Sequence, residues 1–342
     1  MNHIPNVVFH QGLKESPCCL FIHGLGMSLE IWTEPEKTRI LGGRFPVTVL
    51  LSKEPRDVDL SGHGKAPGKG ALPVEPVISD RITTGVVPRG LKTVFHDLKA
   101  EGCTVLAYSQ RRPASDCLSL VKELEDLLNH YHRFTKNGII FIAHSRGGLV
   151  ARKAIELLNP KCPALITLAT PHHGSNLAKL AGSLSGISRI IYPFFENAEK
   201  GTAGSTIKRV MEFLKSEAIV ELLPGSSFIR GFDDSRLASV KTLSFGGTDP
   251  TLFTLYRWRK DRTRGVMTPE KLFSIPEILT SFVSEGMLPE ELINGRGDGL
   301  VSKRSAEAPF AAEHHNLHLN HAMILFSPSV RKTVSSFVRM VS

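Results

Sequence analysis

Short apolar runs alternate along the chain with stretches whose apolar positions recur every three or four residues. Runs of the first kind read as strands buried on both faces, and stretches of the second kind as amphipathic helices. Residues 18–22 (CCLFI) predict a strand that ends at His23-Gly24, and 46–51 (PVTVLL) predict a second. A helical stretch over 91–100 leads into a strand at 103–108 (CTVLAY). Over 117–131, Leu120, Val121, Leu124, Leu127, Leu128 and Tyr131 fall on one helical face, with Asp116 placed as N-cap. Residues 138–143 (GIIFIA) have the all-apolar character of a central parallel strand, and the helix after them carries Leu149, Val150, Ala154 and Leu157. Further strands are predicted at 164–169 (ALITLA) and 239–245 (SVKTLSF), and a last helix at 328–340, opened by Ser327-Pro328. This alternation predicts an α/β architecture, a mostly parallel central sheet flanked by helices.

Two regions break the rhythm. Residues 52–90 are rich in Gly and Pro without an apolar period and read as an irregular insertion. Residues 175–238 start Gly/Ser-rich and turn helical, with Ile190, Ile191, Tyr192, Phe194 and Phe195 close together. They lie between two predicted strands and read as a helical cap or lid. Residues 1–342 are otherwise expected to form a single domain, long enough to bury a sizeable core.

Composition removes several classes. A chain with 41% hydrophobic and 22% charged residues is not disordered, collagenous or a disulfide framework. The five cysteines include no C-x-x-C pair, so no cysteine zinc or redox site is expected. The N-terminus has no signal-peptide pattern, and no apolar run reaches about 18 residues, so a cytoplasmic location is expected. The net charge of +9, densest from Arg257 to Arg264, leaves an anionic membrane surface open as a partner. No nucleic-acid motif accompanies it, so no nucleic-acid partner is expected.

The candidate chemistry centres on Ala143-His144-Ser145-Arg146-Gly147-Gly148. An apolar strand turns here into an amphipathic helix with a serine at the corner. Such a corner needs small residues two before and two after the serine, because the strand and helix backbones crowd there; Ala143 and Gly147 supply them. The turn exposes the hydroxyl and sets the Arg146 N–H at a helix N-terminus, where it can hold an oxyanion. A serine N-cap would also fit five isolated residues, but the strand before and the helix after favour the nucleophile.

With FIHGLG (21–26), LATPHHGS (168–175), GDGLVS (297–302) and NHAMIL (320–325), this segment resembles the α/β-hydrolase lipases and esterases. Within them it resembles the bacterial triacylglycerol lipases with A-x-S-x-G and the GPI inositol-deacylase relatives. The resemblance covers most of the core, not 52–90, and 175–290 only loosely. It implies an α/β-hydrolase fold with Ser145 as nucleophile, Leu25 and Arg146 as oxyanion donors, and a histidine base near the last helix. The histidines there are His314, His315, His318 and His321; His321 matches best and His318 is the alternative. His172 and His173 are placed beside the site without a catalytic role. Asp298, between two glycines, is the preferred acid, with Asp249 in GGTDP as competitor. The resemblance further implies ester hydrolysis through an acyl-enzyme, a lipid or small ester as substrate, and no metal or organic cofactor. An acyltransferase, a thioesterase or a membrane-surface phospholipase or inositol deacylase would use the same three residues, and a lipid-binding protein would need none of them. Asp59-Leu60-Ser61-Gly62-His63-Gly64 has no assigned role, and LLPGSSFI (222–229) resembles a cap segment of the same lipases.

Overall fold

The computed structural model describes residues 6–13, 15–40, 45–46, 82–84, 91–178, 216–260, 267–275, 277 and 288–342. All of the predicted strand at 46–51 but Pro46, nearly all of the 52–90 insertion and residues 179–215 of the proposed cap lie outside them.

The central sheet has seven strands: β1 (Val7–His10), β2 (Cys18–Ile22), β3 (Val105–Tyr108), β4 (Ile139–His144), β5 (Ala164–Leu168), β6 (Lys241–Gly247) and β7 (Glu313–Leu317). Their order is β1-β3-β2-β4-β5-β6-β7. All neighbours pair parallel except β1, which runs antiparallel to β3 at one edge. Among the described residues, the helices that flank it are α1 (Val94–Ala100), α2 (Cys117–His130), α3 (Arg146–Leu158) and α4 (Pro328–Val341).

The two-residue period of the strands divides the core into two layers. Cys19, Phe21, Val105, Ala107, Ile140 and Ile142 join the layer under α1 and α4, with Phe95, Leu98, Val334 and Phe337. Cys18, Leu20, Ile22, Leu106, Tyr108, Phe141 and Ala143 join the layer under α2 and α3, with Leu120, Leu124, Val150 and Ala154. Burial on both faces explains why β2 is apolar throughout and why β4 and β5 are so apart from His144 and Thr167. The Asp116 side chain caps α2 by accepting from the Ser119 N–H at 2.9 Å.

Several described strands fall outside the predicted pattern. β1 and β7 form the two edges of the sheet, and Phe253–Lys260 pairs antiparallel with Met267–Ile275 and with Ile82–Thr84 in a separate sheet. Part of the Arg257–Arg264 charge cluster is therefore strand. No described helix is long and apolar enough to cross a membrane.

Candidate active site

β4 ends at His144, and α3 begins at Arg146. Ser145 between them has φ 53° and ψ −133°, a left-handed backbone that a side chain rarely adopts and that costs roughly 1–3 kcal/mol. The neighbouring packing over-determines it. A Cβ on Gly147 would stand 2.6 Å from the His23 carbonyl oxygen and 2.8 Å from that of Ile22, and one on Gly148 would run into the Thr170 side chain. Ala143 is fully buried. The Ser145 hydroxyl makes no hydrogen bond to the described residues.

The parallel register sets Ile22 opposite Ala143, so His23-Gly24 and His144-Ser145 leave the sheet side by side. A Cβ on Gly24 would lie 2.9 Å from the Ser145 Cβ. His23 is buried, and its tautomer follows from its neighbours. The Gln110 N–H donates to Nε2 at 3.0 Å, so Nδ1 holds the proton and donates to the Gly24 carbonyl at 2.9 Å. Burial pushes the His23 pKa down to about 4, which keeps this ring neutral. The Met27 N–H donates to the same Gly24 carbonyl at 3.3 Å. The carbonyl and the following N–H of a trans peptide point in opposite directions, so the Leu25 N–H is turned away from His23. Neither the Leu25 nor the Arg146 N–H donates to an acceptor among the described residues.

Asp298 and His321 meet in the interior, 0% and 2% exposed. His321 Nδ1 lies 2.8 Å from Asp298 Oδ2. The other carboxylate oxygen accepts from the Leu300 N–H at 2.9 Å and the Val301 N–H at 2.7 Å. The main chains are joined as well, the His321 N–H donating to the Asp298 carbonyl at 3.0 Å. Asn320 holds the start of this loop. Its Oδ1 accepts from the Ala322 and Met323 N–H groups at 3.1 and 2.8 Å, and its Nδ2 donates to the Thr251 carbonyl at 2.8 Å. The His321 ring lies beside that of His144, the residue before Ser145, with centroids 4.8 Å apart. An imidazole held at Nδ1 by a carboxylate presents Nε2 as a proton acceptor, which is what a hydroxyl nucleophile needs.

The alternatives make other contacts. Asp249 accepts from the Thr251 N–H at 2.9 Å, within its own loop. His318 is exposed, its Nδ1 3.5 Å from the Thr248 hydroxyl. His314 faces the Ser244 hydroxyl at 2.7 Å, and His315 is 2.6 Å from Glu313. His172 turns its ring to the Thr167 hydroxyl, 3.2 Å away, and edge-on to Phe310, and burial holds its pKa well below the ordinary value.

Sequence reasoning gave no role to His23, His144 or Glu221. The buried Arg146 guanidinium donates to the Pro113 and Ser115 carbonyls at 3.1 and 2.6 Å and to Glu221 Oε2 at 2.7 Å. Glu221 Oε1 accepts from the Cys117 N–H at 2.8 Å. Glu221 ends a short helix (Glu217–Glu221) of the segment between β5 and β6, so this pair docks that segment on the serine corner. The 222–229 segment packs nearby: the Ser175 N–H donates to the Leu222 carbonyl at 2.8 Å, and Gly174 leaves room for Pro224. Leu25, Ile219, Leu223 and Phe228 pack around Leu149 and Leu222, which gives the serine corner an apolar flank. The described residues contain no group of three or more metal-ligating side chains.

Residues 19–293 match the model described as the alpha/beta hydrolase family, a span that stops short of Asp298 and His321. Among solved structures, the mature form of Bacillus licheniformis lipase BlEst2 is 16% identical with a TM-score of 0.53, over 98% of each chain. Its propeptide form is 16% identical with a TM-score of 0.54, over 98% of this chain and 53% of that one. At such identities the likeness is one of fold alone. No curated protein matches the sequence.

Proposed function

The chain belongs to the alpha/beta hydrolase family, and from that premise we propose that it cleaves carboxylic esters with Ser145, His321 and Asp298, taking a lipid or small ester as substrate. The observation that carries the reading is the buried Asp298–His321 pair set beside the residue that precedes the strained Ser145 corner.

Ser145 Oγ attacks the ester carbonyl carbon while His321 Nε2 takes its proton. Asp298 keeps the remaining imidazole proton on Nδ1 and stabilises the imidazolium that forms. The Leu25 and Arg146 N–H groups receive the oxyanion. Their lack of an acceptor among the described residues and the opposed direction of the Gly24 carbonyl support that role. His321 then protonates the departing alcohol and leaves an acyl-serine. A water molecule attacks this ester with the same proton transfers and frees the acid. Every step uses groups of the chain and water.

The test is hydrolysis of p-nitrophenyl esters from acetate to palmitate, with wild type beside Ser145→Ala and with labelling by a p-nitrophenyl phosphonate. Activity and labelling that both vanish with Ser145 are expected, and the chain-length optimum separates esterase from lipase. A folded wild type that neither hydrolyses nor labels would overturn the proposal.

A further inference from the structure

His144 is the last residue of β4, immediately before Ser145, and its ring is fully buried. Its Nε2 lies 3.0 Å from the main-chain oxygen of His321. A carbonyl oxygen only accepts, so Nε2 carries the proton and Nδ1 the lone pair. Three polar groups of His321 are thereby held: its N–H and its Nδ1 by Asp298, and its carbonyl by His144. Only the His321 Nε2 is uncommitted among the described residues.

We propose that His144 is a positioning residue for the reaction proposed above, its Nε2–H tying the loop that carries the base to the backbone that carries the nucleophile. The inference rests on that reading of Ser145 and His321. Asp298 orients the imidazole relative to its own loop, but it does not fix the distance from the imidazole to Ser145. Among the described residues, no other hydrogen bond joins 318–323 to 143–148. Proton transfer from a hydroxyl to an imidazole needs that distance held to a fraction of an ångström. One side chain adjacent in sequence to Ser145 supplies the constraint.

The surroundings suit a neutral ring used as a donor. A Cβ on Gly24 would stand 3.0 Å from His144 Nδ1, so the glycine lets the His23-Gly24 loop lie directly over that edge. Nδ1 is buried without a partner among the described residues, and a second proton there would find no acceptor among them. Burial, with the His321 and His23 rings nearby, holds the His144 pKa well below the ordinary value. The ring therefore stays neutral, its single proton on the nitrogen that holds His321.

The test compares His144→Gln, His144→Asn and His144→Leu. A glutamine amide nitrogen reaches the place of Nε2, whereas an asparagine amide stops near that of Nδ1. With active sites counted by phosphonate, kcat should fall about ten- to a hundredfold in the Asn and Leu variants with KM changed less than about threefold, and Gln should recover most of it. Amide hydrogen exchange over 319–326 should quicken about tenfold in Asn and Leu and return towards wild type in Gln. Wild-type kcat and exchange in the Asn variant would overturn the proposal. So would equal impairment in all three, because ring packing rather than the hydrogen bond would then be what matters. If the Leu variant fails to fold, the Gln–Asn comparison decides alone. Exchange needs no substrate, so it judges the tether even in a wild type that hydrolyses no ester, a result that would strike the ester-hydrolase reading instead.

Discussion

Replacing Asp298 by asparagine separates the two carboxylates that the sequence offered as the acid. One oxygen of Asp298 accepts two backbone N–H groups, from Leu300 and Val301, and the other accepts from His321 Nδ1. An asparagine has one oxygen to place. Turned towards His321, it would set its NH2 against two backbone donors that cannot move their protons, at about 1–3 kcal/mol for each donor left unpaired. Turned towards the backbone, it keeps both of those bonds and faces His321 with a donor. The histidine can relieve that clash by moving its own proton from Nδ1 to Nε2, so the second orientation wins. Nε2 then carries a proton and cannot accept the one on Ser145. Loss of the working tautomer in a serine triad costs about 10⁴ in kcat, or about 5.4 kcal/mol of transition-state stabilisation. The expected result is that loss in kcat for Asp298→Asn, with KM nearly unchanged and native circular dichroism, in p-nitrophenyl ester hydrolysis. Asp249→Asn should remain within about tenfold of wild type, since among the described residues its carboxylate accepts only from Thr251 in its own loop. A folded Asp298→Asn with kcat within tenfold of wild type, or a larger loss in Asp249→Asn, would refute the reasoning.

Acid should destabilise the protein through His23. Its pKa falls from an ordinary 6.5 to about 4 in the folded state, so the unfolded chain takes up the proton first as the pH drops. Stability is therefore full above about pH 6.5 and declines towards pH 4, by about 3 kcal/mol from this group. Urea titrations at pH 7 and pH 4 should show that difference between wild type and His23→Asn, and equal declines in the two would contradict it. Gly147→Ala drives a methyl into the Ile22 and His23 carbonyls; it should cost about 1–3 kcal/mol in thermal unfolding and lower kcat, because the His23-Gly24 loop must move. An unchanged melting temperature with full activity would show that the corner has slack. Arg146→Met strands the Glu221 carboxylate and should cost about 3–5 kcal/mol, with Glu221→Gln in the same chain recovering part of it. The rate per phosphonate-titrated site should change far less than stability, since only the Arg146 backbone N–H is assigned to the oxyanion; a matching collapse in kcat would argue against that division.

The parts of the fold visible in the sequence are those buried on both faces. β2 is apolar throughout, β4 up to its closing His144 and β5 apart from Thr167, so all three stand out as runs. The edge strands carry no such signal. β1 has four residues, three of them half-buried, and β7 reads EHHNL because it pairs on one side only. The Phe253–Lys260 strand shifts register between Leu255 and Tyr256, which breaks the alternation that would have marked it, and its RWRK end reads as a charge cluster. In the site, Ser145, Asp298 and His321 could be singled out because their glycine-rich and apolar flanks are local. His23 and His144 could not. Each is tied by a hydrogen bond to a partner that only the sheet order brings near, Gln110 for the first and His321 for the second. Arg146 was noticed for its backbone N–H, while its side chain meets a glutamate 75 residues away.

The same packing that made β2 and β4 legible also builds the site. Alternate residues of each strand belong to different core layers: Cys18, Leu20 and Ile22 to one, Cys19 and Phe21 to the other. Sliding β2 by one residue against β4 would exchange these sets between the layers, so the register is fixed by burial over the whole strand rather than at its end. Register then decides what leaves the sheet together. With Ile22 opposite Ala143, Gly24 comes against Ser145 and the His144 ring, and with Ala143 opposite Thr167, the Ser145 N–H continues the ladder to the Leu168 carbonyl at 2.8 Å. The left-handed backbone at Ser145 is held from both sides by strands whose positions were settled in the core. A strained corner costing roughly 1–3 kcal/mol persists because releasing it would displace two buried strands, each anchored by several side chains worth about 1.5–3 kcal/mol apiece. The hydrophobic pattern thus does more than select the fold: through register, it sets the spacing between the serine corner and the loop proposed to receive the oxyanion.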